Sequence, residues 1–164
     1  MAALSASDLL WVLPQLRAFA LCLADDQELA DAVVEVVLVR AWNGDRHVAY
    51  DDVRLLLFNL MHREFHGYET TRALARLPGR PAALRTCSVD STAKLLLRGL
   101  HPAEREAIVL LDACGFSELD AAAICECDLR TVRQRASNAS AKLSQALHPT
   151  RAAGKPALRL CQAR

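Results

Sequence analysis

The segment Gly115–Leu147, GFSELDAAAICECDLRTVRQRASNASAKLSQAL, restricts the fold more than any other part of the chain. Ser117 is a helix cap, and Glu118 and Asp120 behind it lie near the positive end of a helix dipole. Leu119, Ala122, Ala123 and Ile124 are expected to face inward. Glu126-Cys127-Asp128 then makes a bend, and Asp128 caps a second helix that reaches about Leu147. Val132, Ala136, Ala139 and Leu143 recur every three or four residues and give that helix a buried stripe. Two helices joined by a tight turn, the second one basic, follow the plan of a DNA-binding helix-turn-helix.

Charge divides at the same place. Beyond Asp128 there are eight basic residues and no acidic one, whereas the first 128 residues hold 12 basic and 19 acidic side chains. A net charge of +1 therefore conceals an acidic front and a basic end. Such separation suits a polyanion-binding end on a protein-binding body, or a solvated basic helix with a loose tail.

The outward residues of the last helix favour the first of these. A helix fits the major groove, and its N-terminal residues reach base edges. Arg130, Arg133 and Arg135 have the fork that binds guanine with two hydrogen bonds. Gln134 and Asn138 have the amide that does the same for adenine. Thr131 and Ser137 suit phosphate oxygens, and Lys142 suits a backbone contact farther along.

The remainder reads as all-α. Apolar residues make up 52% of the chain and aromatic ones only 5%, and six Gly and six Pro leave too few turn signals for a many-stranded sheet. A first helix spans about Asp8–Leu23, capped by Ser7 or Asp8, with Leu9, Val12, Leu13, Leu16, Phe19, Ala20 and Leu23 on one face. Pro14 implies a start near Leu13 or two short helices. Gln27–Trp42 is β-branched, yet Asp25 and Asp26 before it and Asn43-Gly44 after it mark a helix. A third helix covers about Tyr50–Tyr68, with Val53, Leu56, Leu57, Leu60, Met61 and Phe65 inward, and a weaker one Glu69–Leu77. Pro78-Gly79-Arg80-Pro81 opens a linker. Beyond it, Lys94–Leu100 and Ala103–Ala113 form helices. The expected organisation is a helical domain over 1–77, a linker over 78–92, a helix-turn-helix domain over 93–148 and a basic tail over 149–164.

Enzyme and metal chemistry find no support in the motifs. The six cysteines contain no paired CxxC spacing, and small buried hydrophobes in a reducing cytosol account for them. His62 and His66 lie i, i+4 on one helix, but HExxH is absent and the sequence offers no third ligand, so they read as surface or groove-facing histidines. No Gly-rich phosphate loop or nucleophile motif occurs, and no catalytic residue, cofactor or metal is expected. The N-terminus lacks the basic flank and long apolar core of a signal peptide, and no apolar run reaches the roughly 20 residues of a bilayer span. A cytoplasmic protein with neither a membrane nor a small-molecule partner is expected.

Four pieces of sequence carry a resemblance: Leu13-Pro14-Gln15-Leu16-Arg17-Ala18-Phe19-Ala20, Leu38-Val39-Arg40-Ala41-Trp42, Val53-Arg54-Leu55-Leu56-Leu57-Phe58 and, most specifically, Leu100–Leu147. Together they resemble the extracytoplasmic-function (ECF) sigma factors of bacterial RNA polymerase, above all their general-stress-response subgroup. The resemblance implies a sigma region 2-like bundle and a sigma region 4-like helix-turn-helix. The first would hold core RNA polymerase and melt promoter DNA; the second would read the upstream promoter element. It also implies an anti-sigma factor that hides both. By the same resemblance, Glu35, Val36, Val37 and Arg40 contact polymerase or the anti-sigma factor, and Arg54, His62, Arg63, Arg72 and Arg76 face the promoter strand. Departures gather in the first domain, where Ala32, Val36 and Val37 replace acidic and polar residues and His62-Arg63 replaces an Arg-Asn step.

Two readings follow. One is a working, divergent sigma factor for transcription initiation in a stress response. The other is a sigma-like mimic that occupies an anti-sigma factor without initiating transcription, favoured by an apolar patch at Val36 and Val37.

Overall fold

The computed structural model describes residues 5–24, 26–44, 53–75 and 92–147, with side chains in the third helix described to residue 67. All of its regular elements are helices: α1 (Ala6–Leu23), α2 (Gln27–Asn43), α3 (Val53–Ala75), α4 (Thr92–Arg98), α5 (Pro102–Ile108) continued by a π-helical turn (Val109–Ala113), α6 (Glu118–Ile124) and α7 (Leu129–Leu147). The expected starts at Tyr50–Asp52, the linker 78–92 and the tail 149–164 lie wholly or largely outside the described residues.

Local chemistry sets most of the ends. The cap of α1 is Ser5, two residues before the expected Ser7: its hydroxyl accepts from the Asp8 N–H and Asp8 returns the bond to the Ser5 N–H. Pro14 lies inside this one unbroken helix, correcting the expected break, and it forgoes the bond that an N–H there would make to the Leu10 carbonyl. Helix α2 forms despite its valines, capped by Asp26 and stopped by Gly44 at φ 84°. Its valines alternate between a buried face and an outer one, the arrangement a helix packed on one side needs. Helix α3 runs through the expected junction near Tyr68 to Ala75 without interruption.

Helices α1–α3 pack together, as do α4–α7, and the two groups share one continuous core. Its centre is a row of three rings. Phe19 of α1 lies 5.0 Å from Phe58 of α3, which meets Phe116, between α5 and α6, edge-on at 4.8 Å. This contact buries more of α3 than the expected face. Leu57, Leu60 and Met61 point inward as expected, while Phe58, Asn59 and His62 are buried as well because the second group covers them. Asn59 donates to the Ala123 carbonyl at 3.3 Å. Arg105 of α5, also buried, donates to the carbonyls of Leu23, Arg98 and Leu100 and so satisfies the end of α1 from the other group.

Helix α1 is the one described helix long and apolar enough by length and composition to cross a membrane. Its Val12, Leu16, Phe19 and Ala20 lie in the core, whereas Leu10 and Trp11 are exposed.

Two turns position α7. Gly115 adopts φ 69° after the π-helical turn, and the Phe116 N–H reaches back to the Leu110 carbonyl. A Cβ at Gly115 would meet no atom within 4 Å, so the backbone angle alone opposes substitution. Gly115→Ala is expected to cost about 1 kcal/mol in urea denaturation. Glu126 sits at φ 48° in the second turn, an uncommon angle for a residue with a side chain.

Candidate nucleic-acid interface

Helix α7 is anchored at its start and along one side. Asp128 accepts from the Thr131 N–H at 2.7 Å and from its hydroxyl at 2.9 Å. Both bonds hold the Asp128 carboxyl below its usual range. Val132 and Ala139 are fully buried, and Ala136 and Leu143 are half-buried, so the expected stripe packs onto the helices beneath. On α6, Leu119 and Ala123 are exposed, against expectation. Ala121, Ala122 and Ile124 take the inward positions because α6 turns its other side to α7.

The outward surface carries most of the expected DNA-binding residues. Arg130, Arg133, Gln134, Ser137, Asn138 and Lys142 are exposed, and Thr131 and Arg135 are half-buried. Several already have partners. Arg133 pairs with Glu118 at 2.5 Å, which raises its own pKa and lowers that of the carboxylate. Both groups face solvent, so DNA phosphate can exchange for the pair at little cost. Gln134 donates to Asn138 at 2.9 Å, aligning two amides along the outer side of α7. Among the described residues Arg135 reaches only the Cys127 sulfur, at 3.7 Å. Thr131 is spent on the cap. Lys142 donates to both oxygens of Glu104 at 2.7 and 2.9 Å, tying the middle of α7 to the start of α5.

That Lys142 hydrogen bond is the main reason the Glu104 carboxyl titrates below its usual range. Glu106, deeply buried, is pushed up by desolvation, yet hydrogen bonds from His62 and His66 leave it below the usual range as well. A depressed carboxyl contributes stability above its unfolded value, near 4.5, and loses it as pH falls through the lower folded value. Thermal melting between neutral pH and about pH 3 should therefore show a fall that starts near 4.5. Lys142→Met should flatten it.

The expected promoter-strand residues lie between the two groups of helices. Arg54 donates to Gln15 Oε1 at 2.8 Å and to the Cys114 carbonyl, and its guanidinium stacks 3.9 Å from the Phe116 ring centroid. His62 Nδ1 lies 2.7 Å from Glu106 Oε1, and Arg63 Nε donates to Glu126 at 2.7 Å. These contacts join α3 to the second group and could not be read from either segment alone. The fold also supplies what the sequence did not offer, a third polar partner for the His62–His66 pair, in Glu106. The side chain of Arg72 and the whole of Arg76 lie outside the described residues.

On α2, Glu35, Val36 and Arg40 are exposed, and Arg40 pairs with Glu64 of α3. Val37 is not on this surface: it is fully buried, one turn beyond Val33 and Val34 on the core face. The apolar outer face is instead Ala32, Val36 and Val39, with Trp42 beside it. Val39 and Trp42 were absent from the expected contacts, although a helical period starting from the buried Val33 places Val39 outside.

The cysteines described, Cys22, Cys114, Cys125 and Cys127, are free thiols, and Cys87 and Cys161 lie outside the described residues. Burial raises the pKa of all four, that of Cys114 to about 11. They are poor nucleophiles.

Residues 93–143 match the family model described as Sigma-70, region 4, a span containing both turns and most of α7. Over 151 residues the chain is 32% identical to the ECF RNA polymerase sigma factor EcfG of Rhodopseudomonas palustris (strain TIE-1), covering 86% of this chain and 83% of that protein. Among solved structures, the sigma factor RpoE of Bartonella quintana, in complex with the anti-sigma factor NepR, superposes with a TM-score of 0.73 at 32% identity, over 88% of this chain and 97% of the other. The PhyRSL–NepR complex from Sphingomonas sp. Fr1 shares the fold, with a TM-score of 0.66 at 23% identity over 93% and 97% of the two chains. The basic helix held on a capped helical platform thus has relatives along nearly its whole length, and the chain belongs to the ECF RNA polymerase sigma factors.

Proposed function

We propose that this chain directs core RNA polymerase to promoter DNA, with residues 93–148 reading the upstream element and residues 1–77 engaging the polymerase. The carrying observation is the outer side of α7, where Arg130, Arg133, Gln134 and Asn138 project from a helix locked by Val132 and Ala139. It acts as a non-enzymatic transcription factor in the cytoplasm. Run-off transcription with core polymerase and a stress-responsive promoter tests the role. A transcript that depends on the added chain is expected, and its absence at saturating, folded protein overturns the proposal. With three or four phosphate contacts, log affinity for promoter duplex should fall against log salt with a slope near −3 at roughly −0.9 per contact.

The likeness to RpoE held by NepR supports an anti-sigma partner for this chain as well. The exposed Val36 and Val39, flanked by Glu35 and Arg40, supply an apolar strip with charged edges for polymerase or that partner. One observation favours the mimic. Arg54, His62 and Arg63 are all spent on the second group of helices, so contact with a promoter strand requires the two groups to part. Retention of a small helical partner without core polymerase in a pull-down would select that reading.

A further inference from the structure

His62 and His66 project from the same side of α3, one turn apart, with ring centroids 4.1 Å from each other. Glu106 of α5 meets both, with Oε1 2.7 Å from His62 Nδ1 and Oε2 3.5 Å from His66 Nε2. One donor atom from each residue lies within 4.8 Å of the others. His62 and Glu106 are buried, whereas the His66 side chain is 53% exposed. A cleft of about 30 Å³, lined by Leu23, Phe65, His66, Pro102, Arg105 and Glu106, adjoins the cluster. That volume holds a water or a single ion.

We propose that His62, His66 and Glu106 form a binding site for a zinc-like divalent transition metal that staples α3 to α5. Two imidazoles and one carboxylate match the three-ligand sets that hold zinc with a fourth position left to water. Donors around a tetrahedral zinc stand about 3.3 Å apart, so the three atoms need only small side-chain adjustments to close on an ion. The mixed nitrogen and oxygen set selects zinc, cobalt or nickel over magnesium and calcium, which take oxygen ligands. The positive charge of Arg105 does not bar the site, because its guanidinium is directed to the carbonyls of Leu23, Arg98 and Leu100. Exposed His66 gives the ion a way in. Because the ligands come from both groups of helices, a bound metal opposes their separation and keeps Arg54 and Arg63 engaged.

The test uses the full chain, stripped of metal and kept reduced. Cobalt(II) titration followed by visible absorption, and zinc titration against a chromophoric chelator, should give one equivalent bound per chain. Saturating zinc should raise the thermal midpoint by several degrees. His66→Ala, at a half-exposed position, should keep the apo midpoint within a few degrees, weaken metal binding at least tenfold and abolish the zinc-dependent rise. Glu106→Gln should weaken binding in the same assay. Undetectable binding in the native chain overturns the site, as does binding of equal strength in His66→Ala, which would assign the metal to cysteine thiolates. Neither outcome bears on transcription, so failure here leaves the promoter reading intact.

Discussion

Phe58→Ala is expected to destabilise the protein by about 3–5 kcal/mol, enough to move the urea midpoint well outside that of any surface variant. Phe58 is fully buried, and its ring sits between Phe19 on one side and Phe116 on the other. Truncation removes the apolar burial of one ring and both aromatic contacts, each worth about 0.5–1.5 kcal/mol beyond area. It also opens a cavity where, among the described residues, one aromatic side chain touches rings from both groups of helices. The loss should therefore appear in both groups together, as one shifted transition by fluorescence and by circular dichroism. Leu119→Ala, equally a loss of a large apolar side chain but 70% exposed, should stay within about 0.5 kcal/mol. A cost below about 1 kcal/mol for Phe58→Ala would mean that the shared core is not packed as described.

The contrast between Phe58 and Leu119 shows what the sequence could and could not convey. Periodicity identified the elements, because most helices carry a cap and a three-to-four spacing of their own. It also placed Val132 and Ala139 correctly, since the apolar spacing of α7 marks one face whichever helix lies beneath it. It failed where burial depends on the distant group of helices. Phe58, Asn59 and His62 fall off the inward stripe of α3 when that helix is considered with α1 and α2 alone, and contact with the second group completes their burial. Short α6 misled for a different reason. In seven residues, apolar Leu119 and small Ala121 compete for the inward position, and the close approach of α7 favours the smaller side chain. In the candidate interface, residue type and exposure were legible from the sequence, but occupancy was not. Lys142 has the chemistry of a phosphate contact, yet the partner that holds it, Glu104, lies 38 residues earlier.

The side chains left uncommitted decide where the largest effect on DNA recognition should fall. Arg130 is exposed in the first turn of α7, the part of such a helix that reaches base edges, and its guanidinium has no hydrogen-bond or ion-pair partner among the described residues. Lys142 must break two hydrogen bonds to Glu104 before it can meet a phosphate, and Thr131 must leave its cap. Arg133 gives up only a solvent-facing pair. Arg130→Ala should thus lose a base contact worth about 1–3 kcal/mol, a roughly 5- to 150-fold drop in affinity for the cognate upstream element, with relaxed preference at one base pair. Lys142→Ala should weaken binding to all duplexes alike and by less, because the native lysine is already occupied. Competition binding at fixed salt with cognate and scrambled duplexes separates the two patterns. If Arg130→Ala lowers affinity equally for both duplexes, its guanidinium holds phosphate, and base discrimination passes to Arg133, Gln134 and Asn138 farther along the same face.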